Sequence, residues 1–371
     1  VTDPQEGWIF HILPDDTGTT AIWAAQRVPD DGVGVVANAF VIRNLDMSDN
    51  ATFLASQSAF NVAQAKGWWK PADGDLDFAA IYSDGEYAHK YYSGRRVWGV
   101  YQRLAPSLGL SPSYGEYLRD RPYPVTAKPD HKVSVADLAY AMRSYYEGTD
   151  FDQTKGLAAG PFGTPDHVSG DSASGQVSGN WERTIGLYRT SDSHIVQSRS
   201  WLPNAAGGVL WWGPHAAPYT LYVPFAAGMS ALPDSTLGHQ AVLDKSTLFW
   251  GVRYLANIAQ LKRSFAIQDV NALQDAWHAK ALEVQAAVDA SAADGSLTQE
   301  SLSGAYLGHA AKVLSALWSA TDALLFKYAD GWINEVQPDG TFTSQTVPAP
   351  DWWLVAVNYT GGPPPVPPKK V

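Results

Sequence analysis

The chain has 371 residues, of which 45% are apolar and 17% charged, with a net charge of -11 and no cysteine. With 15 Trp, 18 Tyr and 12 Phe it is a folded, aromatic-rich globule, long enough to bury one large domain or two smaller ones. Its acidity, with no basic run beyond Arg95-Arg96 and Lys369-Lys370, excludes phosphate-backbone binding and so nucleic acid as a partner.

No apolar run approaches the roughly 18 to 20 residues of a membrane-spanning helix. Val1-Thr2-Asp3-Pro4 has neither a charged n-region nor an apolar h-region, so any targeting signal is expected upstream or removed. Zero cysteines exclude disulfides, thiolate metal sites and a thiol nucleophile within these residues.

In chain order, residues 8–12, 20–28 and 34–38 read as an antiparallel meander, separated by the turn clusters Pro14-Asp15-Asp16-Thr17-Gly18 and Pro29-Asp30-Asp31-Gly32. Helical spacing appears next over 93–104, with Val97, Val100, Tyr101 and Leu104 on one side and Pro106 stopping it. Ser134 caps a further helix carrying Leu138, Met142, Tyr145 and Tyr146. Residues 160–180, with five glycines, read as a long surface loop.

A second strand set is expected at 183–189, 193–199, 209–212 and 220–224. From Ser246 onward helices dominate, at 248–265, 271–288 and 302–328, the last two with Ala-rich apolar stripes. Gly361-Gly362-Pro363-Pro364-Pro365-Val366-Pro367-Pro368 favours extended polyproline geometry, so residues 1–360 are read as one domain and 361–371 as a proline-rich tail.

None of the nine histidines stands in a metal-ligand spacing; His11, His194, His215, His239 and His309 are scattered singly and read as structural, and neither metal nor cofactor is assigned. Gly156-Leu157-Ala158-Ala159-Gly160 lacks the Lys-Ser/Thr ending of a phosphate cradle. Ser198 and Ser200 lack the Gly-x-Ser-x-Gly elbow that exposes a serine nucleophile.

Asn38 and Arg95-Arg96 carry more information. A carboxamide at a strand end can donate to a developing oxyanion, and a guanidinium can hold a carboxylate or lower the pKa of a neighbouring nucleophile. On the residues alone, Asn38 fits a turn closure equally well, and two adjacent arginines at a helix start fit a solvated face.

Trp23-Ala24-Ala25-Gln26-Arg27-Val28-Pro29-Asp30-Asp31 with Val36-Ala37-Asn38 resembles the dipeptidase A and secernin group of cysteine N-terminal-nucleophile hydrolases. The likeness continues in Tyr92-Ser93-Gly94-Arg95-Arg96-Val97-Trp98, in Thr154-Lys155-Gly156-Leu157-Ala158-Ala159-Gly160-Pro161-Phe162-Gly163, in Arg189-Thr190-Ser191, in Gln197-Ser198-Arg199-Ser200-Trp201-Leu202-Pro203 and in Gly208-Val209-Leu210-Trp211-Trp212-Gly213-Pro214. The resemblance implies an α+β fold, an αββα four-layer sandwich of two antiparallel sheets flanked by helices.

It also implies a cysteine nucleophile freed at a chain start by self-cleavage, its own α-amino group serving as base. The block carrying that cysteine is not among these residues. The resemblance places Asn38 as the oxyanion-supporting asparagine and Arg95, or else Arg96, as the active-site arginine. The expectation is therefore the large C-terminal chain of a dipeptidase or related amide hydrolase, partnered by a separate Cys-bearing N-terminal chain and acting on a dipeptide or small amide, with a homo-oligomer left open. The rival expectation is a catalytically inactive relative kept as a scaffold or binding subunit of an extracellular assembly. The sequons at Asn50 and Asn358 permit glycosylation and point to a secreted or lumenal protein.

Overall fold

The computed structural model describes residues 1–83, 90–113, 122–166 and 182–362. They fall into two compact units: one of residues 1–83, 90–113, 122–141, 182–185 and 198–201, the other of residues 142–166, 186–197 and 202–362. Both mix helices with small antiparallel sheets, an α+β composition.

In the first unit, β1 (Gly7–Pro14) and β2 (Ala21–Val28) form a hairpin in register from Gly7 opposite Val28 to Pro14 opposite Ala21. The Asp15 carboxylate closes the connection by accepting from the hydroxyls of Thr17 and Thr20. Two short strands, β3 (Val33–Gly34) and β4 (Asn44–Leu45), precede β5 (Phe53–Ala55), which pairs with the free side of β2. The third place in this sheet thus belongs to β5 and not to the expected 34–38 segment. The reason is local: Asn38 adopts φ 51°, a left-handed conformation that ends an extended run.

Helix α1 (Gln57–Ala65) comes next, then β6 (Leu76–Asp77), which pairs with β4, and α2 (Phe78–Tyr82). Ile22 and Ala24 of β2, Ile42, Leu45, Ala59, Ala63, Leu76 and Phe78 build the core of this unit. A π-helical turn, Lys90–Gly94, runs into α3 (Arg95–Leu104), whose buried face carries Val97, Trp98, Tyr101 and Leu104. Beyond it lie β7 (Thr126–Ala127), paired with β3, and α4 (Val135–Arg143). Helix α4 stops before Tyr145 and Tyr146; Tyr146 has φ 64°, which no helix continues through.

The second unit holds a three-stranded sheet in the order β10-β9-β8, from β8 (Asp192–Ser198), β9 (Gly208–Pro214) and β10 (Val223–Ala226), with the short α5 (Asn204–Gly207) leading into β9. The expected strand at 183–189 is absent from the described residues: Gly186 donates its N–H to Ser144 O, and an added Cβ there would sit 2.8 Å from Arg143 O. That close contact takes the place of a ladder.

Thr247 caps α6 (Leu248–Ala259), accepting from Trp250 N. Leu248, Val252, Leu255 and Ala259, at steps of four and three, place one apolar stripe on the core with Tyr219, Leu221, Val223 and Phe225. The helix expected to run to 265 ends earlier, because Gln260–Lys262 tightens to a 3-10 turn and Lys262 (φ −146°, ψ 61°) is not helical. The next helix, α7 (Arg263–Ala293), is accordingly longer than its apolar stripe indicated.

Gly295 (φ 78°) and the Thr298 cap turn the chain into α8 (Gln299–Tyr328). At Gly251 an added Cβ would lie 3.2 Å from the Leu317 side chain, so α6 and α8 pack closely there. A hairpin of β11 (Trp332–Val336) and β12 (Phe342–Thr346) and the short α9 (Asp351–Ala356) complete the unit. The proline-rich tail from 363, and the 167–180 part of the expected loop, lie outside the described residues.

Candidate active site

Adjacent residues on an α-helix diverge by about 100°, and at the start of α3 this sends two arginines in different directions. Arg95 is buried: Nε donates to Glu182 Oε1 at 2.5 Å and Nη1 to Pro112 O at 2.9 Å. Burial raises the Glu182 pKa, against the lowering pull of Arg95. Removing one member of a buried ion pair leaves the other charge desolvated, so Arg95→Ala should lower unfolding free energy by about 3–5 kcal/mol. A urea titration monitored by circular dichroism measures this, and a loss below about 1 kcal/mol, the value of a surface pair, would contradict it.

Arg96 points to the segment after β3. Its Nη2 donates to Asn38 Oδ1 at 2.9 Å and to Ala37 O at 3.4 Å, while Nε donates to Tyr92 O at 2.7 Å and the guanidinium lies 4.7 Å from the Tyr92 ring centroid. Ser93 Oγ donates to Asn38 O at 3.3 Å. A guanidinium only donates, so the carboxamide atom that meets it is the oxygen, and Nδ2 faces away. Asn38 is exposed, and among the described residues its Nδ2 makes no hydrogen bond. The result is an amide fixed through its oxygen, with its Nδ2 facing away from Arg96.

The chain beyond Asn38 is held by His11, on β1. Its Nε2 accepts from Val41 N at 2.9 Å, and its ring stacks on Phe40 at 4.6 Å. Accepting through Nε2 requires the neutral ring with the proton on Nδ1. Burial pushes the His11 pKa down to about 4; His215 is pushed down to about 4 by burial and then by Arg253, and His309 likewise by burial and then by Lys312 and Lys280.

A pKa depressed in the folded state means that the unfolded chain binds the extra protons. The stability each histidine contributes is present above about pH 6.5 and is lost as pH falls towards 4. Urea midpoints should therefore fall steeply between pH 7 and pH 5. A His11→Gln variant, which keeps an acceptor, should show a shallower fall, whereas identical slopes would contradict the assignment.

The second unit contains a cavity of about 790 Å³. It joins three regions that are distant in sequence: Asp166, just beyond the Gly156–Gly163 glycines, Arg189-Thr190-Ser191-Asp192 before and at the start of β8, and Trp212 and His215 at the end of β9. Arg253 and Gln260, of α6 and the turn after it, complete one wall. His215 takes a left-handed conformation (φ 60°), donates its N–H to Ser191 O at 2.8 Å and packs edge-on against Phe249.

Below it, Asp166 accepts from Tyr145 OH at 2.7 Å and from Gln260 Nε2, and Arg263 Nε donates to Tyr219 OH at 3.3 Å. Burial first, then the neighbouring Tyr219 and Asp166, pushes the Tyr145 pKa well up, so its hydroxyl stays protonated and donates. With Asp166 and Asp192 set against Arg189 and Arg253, the cavity offers both signs of charge. No sequence pattern singles out Asp166, Arg253 or Gln260, and by spacing alone His215 reads as a structural histidine. The signal the sequence does hold is adjacency, since His215 directly follows the Gly208–Pro214 block and Asp166 stands three residues past Gly163.

Among the described residues no group of three or more His, Asp or Glu side chains is arranged to hold a metal, and no helix is long and apolar enough to cross a membrane. The chain matches peptidase family C69 over residues 1–276 and belongs to that family of cysteine dipeptidases. It is similar to a probable dipeptidase of Salmonella dublin, 32% identical over 61% of this chain and 46% of that protein. It is also similar to dipeptidase A of Lactobacillus helveticus, 23% identical over 57% and 40%, and to a dipeptidase of Bifidobacterium longum, 23% identical over 91% and 60%. The chain thus spans about half the length of the curated relatives it matches.

Proposed function

We propose that this chain forms most of a cysteine dipeptidase, completed by a thiol from residues outside these 371, on a separate N-terminal chain of the same precursor. The observation that carries the reading is the Arg96-pinned Asn38, with Nδ2 left to donate. The family match and the lack of any cysteine among these 371 residues support a nucleophile supplied from outside them.

The thiolate attacks the peptide carbonyl carbon, and the carbonyl electrons move to oxygen, where Asn38 Nδ2 supplies a hydrogen bond. The C–N bond breaks as the leaving amine takes a proton from the α-ammonium group that accepted it from the thiol. Water then attacks the thioester, releasing the acid and restoring the thiol. Arg96 acts by positioning the carboxamide; Arg95, held to Glu182, is the weaker candidate for a direct role.

The αββα layering belongs to the same proposal and is supported by the family match. Export is proposed on the exposed sequons at Asn50 and Asn358.

The test is steady-state hydrolysis of free, N-acetylated and C-amidated dipeptides by the native protein carrying its thiol-bearing segment. Cleavage of free dipeptides with sharp loss on blocking either end is expected. No cleavage of any of them would favour an inactive binding scaffold instead.

A further inference from the structure

A groove of about 620 Å³ lies between α7 and α8, and every residue lining it lies beyond the family match at 1–276. Two glycines one helical turn apart on α8, Gly304 and Gly308, make room for it: a Cβ added at either meets nothing within 4 Å. At its floor His309 is 4% exposed, yet its Nε2 has no hydrogen-bond partner among the described residues. A buried imidazole nitrogen without a partner is costly unless something enters to meet it.

The groove supplies what such a ligand would carry in complement. Lys312 lies on α8 one turn beyond His309, and across the groove Lys280 of α7 holds its ammonium 4.2 Å from the Trp277 ring centroid. Trp277 in turn packs on His309, with ring centroids 5.7 Å apart. Both ammonium groups act on the His309 ring electrostatically, which puts them at its end of the groove. Glu283 sits about one turn along α7 from Lys280, and Val284, Ala287 and Ala305 give the remaining length an apolar lining.

The geometry points to a binding site for a small organic acid with an apolar body, its carboxylate held between Lys280 and Lys312 and hydrogen-bonded by His309 Nε2, its hydrocarbon part lying along the two glycines. Burial and the two lysines keep His309 neutral, so the ring can turn its proton to Nε2 and donate without an added charge. The volume is that of a small-molecule site and too small for a protein partner's helix. The site is independent of dipeptide hydrolysis and holds whether or not that reading stands.

Calorimetric titration of the native protein with 3-phenylpropionate tests it, with 3-phenylpropionamide as the uncharged control. Saturable one-site binding of the acid, none of the amide, and at least about a tenfold weakening in Gly308→Leu are the expected results. Leucine at 308 enters open space and favours helix over glycine, so this variant should keep its melting temperature and its dipeptidase rate. An imidazole 15N shift at His309 on adding the acid should vanish in the same variant. No saturable binding, equal binding of the amide, or unchanged affinity in Gly308→Leu would each overturn the assignment.

Discussion

Replacing Asn38 by alanine is expected to lower kcat for dipeptide hydrolysis by about 10²- to 10³-fold while leaving KM within a few-fold, the scale of losing one oxyanion donor. The asymmetry follows from where the amide points. Arg96 takes Oδ1 at 2.9 Å, so Nδ2 is oriented before substrate arrives and contributes chiefly when charge develops on the carbonyl oxygen. Asn38→Asp sharpens the test: aspartate tolerates the left-handed backbone and should bind Arg96 more strongly, yet it cannot donate and would repel an oxyanion. Stability should hold or rise while kcat falls at least as far as in the alanine variant. Full activity in Asn38→Asp would remove the residue from the chemistry.

The second large effect concerns the nucleophile. Alkylating the proposed thiol in the native protein with iodoacetamide should reduce kcat on the order of 10⁶-fold, as when other acyl-transfer enzymes lose their nucleophile. The 371-residue chain alone should show no thiol-dependent turnover, because Asn38 can stabilise an oxyanion only after something attacks the carbonyl. Restoring the thiol-bearing segment should restore the rate.

Period-two and helical patterns made β1, β2, β9 and the three long helices legible in the sequence, since each buries a continuous stripe. What failed was local and backbone-driven. Val35, Val36 and Ala37 look like a strand, but the left-handed turn at Asn38 and the His11 bond to Val41 N hold the segment as a loop, so β5 fills the vacant edge. Residues 183–189 read as a strand for the same compositional reason, yet Gly186 is packed too tightly against Arg143 for a ladder.

The candidate site divides along similar lines. Asn38 and the arginine pair stood out through the family resemblance, since on the residues alone a turn closure and a solvated face served equally well. Which arginine reaches Asn38 depends on the phase of α3, and the start of that helix is set by a π-helical turn that no periodicity announces. The second unit's cavity drew on residues 166, 189–192, 212–215 and 253–260, whose meeting is a property of the tertiary structure alone.

Mapping the essential thiol bears most directly on the proposed division of labour. The native protein would be titrated with iodoacetamide, dipeptidase activity followed, and the labelled peptide located by mass spectrometry. One equivalent of label on a cysteine outside these 371 residues, with activity falling in step, is the expected result. Dipeptide cleavage that persists through complete thiol alkylation would contradict it.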